Sequence, residues 1–174
     1  MAFNGTFSML GIDERRSLLE SGVKRRFKNG QLIIRQGIVL QGIFVVTKGE
    51  VRVEHGVRVL RKTRVMGQDG ATRMREIPGR LSVEVARLGR GAIFGEMSFV
   101  DDSPTSASVA AVGDVETVFI DAAQMNLRLE QEPEFGKRFY HSLAIELAKR
   151  LREANKRSRG GRPHVKAKGK QGAA

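Results

Sequence analysis

Glu96 follows Gly95 directly, and after a short loop the hydroxyls of Thr105 and Ser106 come just before Ala107. A glycine lets the backbone approach a bound group closely; a carboxylate accepts hydrogen bonds, and hydroxyls and amides donate them. Such a set suits recognition of a polar molecule better than bond breaking. The sequence shows no His–carboxylate, nucleophile or metal constellation, and no enzymatic role is expected. The three histidines, His55, His141 and His164, are scattered, and cysteine is absent. Disulfides, thiolate catalysis and thiolate metal sites are therefore excluded, and a bound metal is not expected. Asp101, Asp102 and Ser103 are neighbours on a turn and do not converge on one ion.

The elements that must position these residues are short and β-rich. Leu32-Ile33-Ile34, Ile43-Phe44-Val45-Val46 and Val51-Arg52-Val53 are strand-like, and Gly30, Gly37, Gly42 and Gly49 punctuate them every five to seven residues. That spacing is too short for βαβ units and implies an antiparallel roll or barrel. Leu81, Val83 and Val85 alternate with polar or small residues. With Val57, Val59 and Val65 they predict a polar, Arg-rich hairpin or pair of hairpins over 61–80, with turns at Gln68-Asp69-Gly70 and Pro78-Gly79. Residues 107–111 and 115–120 read as closing strands.

Helices flank this core. An amphipathic helix is expected over residues 8–20, ending near Gly22, and Asp121 can cap another over 122–129. Pro133 fits the first turn of a third. Along it Phe135, Phe139, Leu143, Leu147 and Leu151 recur every four residues, so the helix either packs on its own domain or pairs with its twin in a homodimer through residues 134–155. The fold class expected is mainly β with flanking helices: an antiparallel, jelly-roll-like β-roll with one helix before it and lid helices after it, over residues 1–155.

The segment 94–109, Phe94-Gly95-Glu96-Met97-Ser98-Phe99-Val100-Asp101-Asp102-Ser103-Pro104-Thr105-Ser106-Ala107-Ser108-Val109, resembles the phosphate-binding cassette of cyclic-nucleotide-binding domains. This is the family of the bacterial catabolite activator and the protein kinase A regulatory subunit. Phe27-x-x-Gly30, Gly37, Phe44-x-Val46 and Gly49-x-Val51 agree with that family's roll, and residues 134–144 resemble its lid helix. The resemblance implies a regulatory domain binding cyclic AMP, cyclic GMP or a cyclic dinucleotide, with no cofactor. Gly95, Glu96, Met97, Thr105, Ser106 and Ala107 would form the site. Backbone amides at Gly95, Ser106 and Ala107 and a short helix from Met97 to Val100 would face the phosphate, and Glu96 would accept from a ribose hydroxyl. Met97 and Phe99 are expected to lend their side chains to the core.

In one position the segment departs from the family. The arginine that normally pairs with the phosphate aligns with Thr105, which offers one neutral hydroxyl instead of a guanidinium fork. Arg73, Arg75, Arg80, Arg87 and Arg90 are candidate substitute cations. The alternative is a degenerate domain that keeps the fold as a dimerisation or scaffold module and binds no nucleotide.

Net charge is +12, and from Lys149 onward there are ten Lys/Arg against one acid, Glu153. The body is therefore close to neutral. Residues 156–174 are expected to be a basic disordered tail, either solubilising or in nonspecific contact with nucleic acid or another polyanion. No helix-turn-helix is expected after the lid helix, so an unidentified protein partner is the expected recipient of a signal. The start of the chain resembles no export signal, no apolar run approaches a membrane span, and the expected compartment is the cytoplasm.

Overall fold

The run Ile43-Phe44-Val45-Val46 has no polar position, because both faces of its strand are covered. Alternate side chains of a strand point to opposite faces. Ile43 and Val45 join a cluster with Phe7, Leu18, Ile93, Ile120, Met125, Phe135, Phe139 and Leu143. Phe44 and Val46 join a second cluster, inside the roll, with Ile34, Val51, Phe94, Val109 and Val115. One strand thus divides a helix-facing core from a roll interior.

The computed structural model of the protein describes residues 6–66 and 68–160. Its elements in chain order are α1 (Ile12–Glu20), β1 (Val23–Phe27), β2 (Leu32–Ile34), β3 (Gly42–Met66), β4 (Thr72–Leu88), β5 (Ile93–Phe94), α2 (Glu96–Asp101), β6 (Ser108–Asp121), α3 (Ala122–Gln131) and α4 (Pro133–Gly160). The sheet order is β1-β6-β3-β4, with β2 also on β6 and β5 on β3. Every pairing is antiparallel. This is the expected mainly β roll with flanking helices. None of the helices described is long and apolar enough to cross a membrane.

Gly49 shows why the roll needs its glycines. It sits at φ +81°, and a Cβ there would stand 2.6 Å from the Asp114 carbonyl oxygen. The β3–β6 ladder slips just before it, between Val46 and Lys48, and across it, between Lys48 and Glu50. The bend that curls the sheet is thus placed by the one residue type that fits.

Several sequence expectations are corrected. The first helix begins at Ile12, and Ser21 rather than Gly22 caps its end, with Ser21 N–H donating to Ser17 O. The hairpin is single: its turn lies between Met66 and Thr72, whereas Pro78 and Gly79 lie inside β4 opposite Leu60 and Val59. An exposed edge strand tolerates a proline that a central strand would not. The two closing strands are one, β6.

The last helix continues past Asn155 to Gly160, because Arg, Lys and Ala are good helix formers even without an apolar face. The remainder of the proposed tail, 161–174, lies outside the described residues. Of the stripe on α4, Phe135, Phe139 and Leu143 are buried in the domain, whereas Leu151 is 63% exposed. Steps of four residues advance 400° in a helix of 3.6 residues per turn, so such a stripe rotates by about 40° per step. By Leu151 it has turned away from the core.

Candidate ligand-binding site

β5 delivers the chain to Gly95, which precedes α2 at φ +82°. A Cβ at Gly95 would collide with the Leu40 side chain. The glycine is therefore required by left-handed backbone and by close packing against the loop that enters β3, whatever is bound. Ser98 Oγ, one turn into α2, accepts from Leu40 N at 3.2 Å and ties the same two segments.

Glu96 is 3% exposed. Arg150 of α4 donates from Nη1 to Glu96 Oε1 at 2.6 Å, and from Nη2 to the Ile93 carbonyl at 2.5 Å. Its Nε donates to Glu146 one turn earlier, at 3.3 Å. Burial pushes the Glu96 carboxyl above the usual range, and the Arg150 charge opposes that shift. A buried carboxylate without a counter-charge is costly, and the guanidinium supplies one along with good hydrogen-bond geometry. The cassette acid and the C-terminal helix are in direct contact.

Thr105 is turned inward. It is 7% exposed; its hydroxyl donates to Arg35 O at 2.7 Å and accepts from Ile38 N at 3.3 Å. Its backbone N–H donates to Ile38 O, and its carbonyl accepts from Gly37 N, both at 2.8 Å. A hydroxyl has one proton to donate, and here it fastens the loop between β2 and β3 to the end of the cassette. It offers no donor to a phosphate in this arrangement.

Ser106 is exposed, and its hydroxyl lies 3.8 Å from Met97 Sδ, so the two ends of the cassette meet. Met97 itself is 49% exposed. Its side chain is at the surface, contrary to the core role expected of it, while Phe99 packs against the core cluster as expected. Ala107 is half-buried at the entry to β6. Gly95, Glu96 and Met97 thus stand at one end of a loop whose other end holds Thr105, Ser106 and Ala107.

Four of the five substitute cations named from the sequence are paired with carboxylates or lie on the hairpin. Arg87 pairs with Glu84 and Glu50, and Arg73 with Asp69. Arg75 lies on β4 opposite Thr63. The guanidinium that meets the cassette acid is Arg150, which lies on the helix expected over 134–155 but was given no role at the site. Its signal was its spacing: Phe139, Leu143, Glu146 and Arg150 follow i, i+4, i+7, i+11, one face of a 3.6-residue helix. His55 was also missed. Its Nδ1 lies 3.0 Å from the Ser106 carbonyl; a carbonyl only accepts, so Nδ1 carries the proton. A surface groove of about 1310 Å³ between α1, β1 and β6, lined by Leu19, Arg26 and Val118 among others, shares no residue with the cassette.

The family model described as the cyclic nucleotide-binding domain matches residues 24–132. The chain belongs to the cyclic nucleotide-binding domain family. It is 32% identical over 132 residues to a cyclic AMP receptor protein of Thermus thermophilus, covering 76% of this chain and 50% of that protein. It is 33% identical over 109 residues to a cAMP-dependent protein kinase type II regulatory subunit of Drosophila melanogaster, covering 62% of this chain and 23% of that one. The chain therefore spans half or less of the length of these relatives. Among solved structures it resembles the catabolite activator protein of Thermus thermophilus, at 28% identity and TM-score 0.61, covering 88% of this chain and 61% of that one. It also shares the fold of a cyclic nucleotide-binding domain from Methylobacillus flagellatus, at 21% identity and TM-score 0.69, covering 90% and 77%.

Proposed function

We infer that this chain is a regulatory sensor, not a catalyst, that binds a cyclic nucleotide in the segment 94–109 and reports occupancy through α4. The carrying observation is the ion pair between buried Glu96 and Arg150. Glu96 is the residue that would accept from a ribose hydroxyl, and whatever engages it must share or displace the guanidinium of the helix. Gly95, Met97, Ser106 and Ala107 would line the ligand around it, with Thr105 acting as the fastener of the neighbouring loop. Cyclic AMP, cyclic GMP and a cyclic dinucleotide are the ligands proposed. The cytoplasm is the proposed compartment, with a homodimer through residues 134–155 or a protein partner as the recipient of the helix movement. Exposed Leu151 and half-buried Leu147 support an apolar seam on the outer part of α4.

Calorimetric titration of the purified protein with cyclic AMP, cyclic GMP and cyclic di-GMP tests the reading. Binding of at least one, lost in Glu96→Ala with the fold retained, is expected. One observation favours the second reading, a scaffold that binds no nucleotide: the Thr105 hydroxyl is already committed to Arg35. No heat with any of the three ligands would support that reading instead.

A further inference from the structure

The hairpin of β3 and β4 leaves the roll after Glu54, the last residue of β3 paired with β6, and runs as a two-stranded ribbon out to Met66 and back from Thr72. At about 3.3 Å per residue its free part is roughly 40 Å long. β4 is the edge of the sheet and is hydrogen-bonded to β3. Between residues 57 and 81 the chain carries seven Lys/Arg and two acids. Both acids are matched, Asp69 to Arg73 at 2.6 Å and Glu76 to Lys62 at 3.8 Å. Arg58, Arg61, Arg64 and Arg75 have no carboxylate within salt-bridge distance among the described residues. The register places Arg61 and Arg75 on one face of the ribbon and Arg58 and Arg64 on the other.

We propose that this ribbon is an arm that binds double-stranded DNA through its phosphates, without reading sequence. A membrane or a flat protein surface meets one face of a ribbon. Guanidinium groups that face no carboxylate among the described residues, on both faces of the ribbon, fit a groove walled by two phosphate backbones, and the major groove admits a two-stranded β-ribbon. Single-stranded nucleic acid is held largely by aromatic stacking, and residues 54–84 contain no Phe, Tyr or Trp. A second copy of the chain is a poor occupant, because the outer end of α4 carries Lys149, Arg152 and Lys156 and would repel the ribbon. The arm needs no nucleotide in the cassette and stands or falls apart from the sensor reading.

The test uses the full chain and a labelled mixed-sequence duplex of about three helical turns, followed by fluorescence anisotropy across a salt series. Replacing Arg58, Arg61, Arg64 and Arg75 together by Ser should weaken binding at least roughly tenfold and lower the salt slope by about 3–4, near one unit per lost phosphate contact. Replacing Lys24, Lys28, Lys48 and Lys137 by Ser removes the same charge from the roll and α4 and should cost less than about threefold. In the wild-type protein, which needs no variant to fold, the duplex should protect the bonds after Arg61, Arg64 and Arg75 from trypsin while those after Lys24 and Lys28 remain open. Equal losses in the two variants would overturn the proposal in favour of net charge or the basic C-terminus. So would no duplex binding by wild type, no protection of the ribbon, or a ribbon variant that loses only phosphatidylserine vesicles or only its oligomeric mass in light scattering.

Discussion

Arg150 and Glu96 are 54 residues apart in sequence, yet Nη1 and Oε1 lie 2.6 Å apart, with side chains 24% and 4% exposed. The pair closes α4 over the start of α2 and makes the charge of one acid depend on one helix. Burial raises the Glu96 carboxyl above its ordinary range. A group whose folded pKa is raised stabilises most below its unfolded value, and that contribution is lost as pH rises through the folded one. Arg150→Ala removes the opposing charge and should raise the carboxyl further. Denaturant titration should then show a loss of about 3 kcal/mol at pH 7.5 that shrinks as the pH is lowered and Glu96 takes up a proton. Equal losses at the two pH values would mean that Arg150 serves packing and not the carboxylate.

Thr105→Arg tests whether the cassette is open. A charge-assisted contact to phosphate contributes on the order of 1.5–3 kcal/mol. If the segment 94–109 accepts a cyclic nucleotide, cyclic AMP affinity should rise roughly 10- to 150-fold. The structure adds a cost: the new side chain releases Arg35 O and Ile38 N from their partner, so a lower melting temperature should accompany the gain. No cyclic AMP binding by the variant, with an intact circular dichroism spectrum, would count for the scaffold reading.

Glu14 fastens α1 to α4 through Arg138, with Arg138 Nη2 donating to Glu14 Oε1 at 2.5 Å. That hydrogen bond holds the Glu14 carboxyl below its usual range. A depressed folded pKa contributes stability above the unfolded value that fades as pH falls through the folded one. Glu14→Gln should therefore melt earlier than wild type at neutral pH, and the two curves should merge on acidification below the ordinary carboxylate range. A gap that persists in acid would assign the effect to packing.

Thr117 is fully buried in β6, and its hydroxyl has no hydrogen-bond partner among the described residues. A polar group left unsatisfied in an interior costs about 1–3 kcal/mol. Thr117→Val keeps the shape and removes the hydroxyl, so it should raise the melting temperature by several degrees. A fall in melting temperature would show that the hydroxyl is satisfied in solution.

The roll was legible because glycines at five- to seven-residue intervals and β-branched runs point to the same antiparallel architecture, and Asp121 caps α3 as its side chain suggests. The cassette was legible as a contiguous motif. What escaped was what the tertiary fold decides. Arg150, on the helix expected over 134–155, read as one more charge of the basic stretch that begins at Lys149, since the helical face that buries it is visible only once the stripe is followed at 3.6 residues per turn instead of four. Thr105 read as a weak substitute for an arginine, while the structure makes it the fastener of residues 35–38. Pro78-Gly79 read as a turn because local propensity outweighed a long ladder that the sequence does not display.

β3 passes from the two-sided core at Ile43–Val46 to an open ribbon ending at Met66 without a break in its backbone. One strand therefore carries two regimes of sequence tolerance. In its first turns of pleat every substitution meets packed atoms on one side or the other, so neither parity of position is free to vary. Beyond residue 54 the same backbone accepts nearly any strand-compatible side chain as far as folding is concerned, and any preference retained there would be set by what the ribbon touches. A saturation library scored for folding alone should show a sharp boundary inside this single strand.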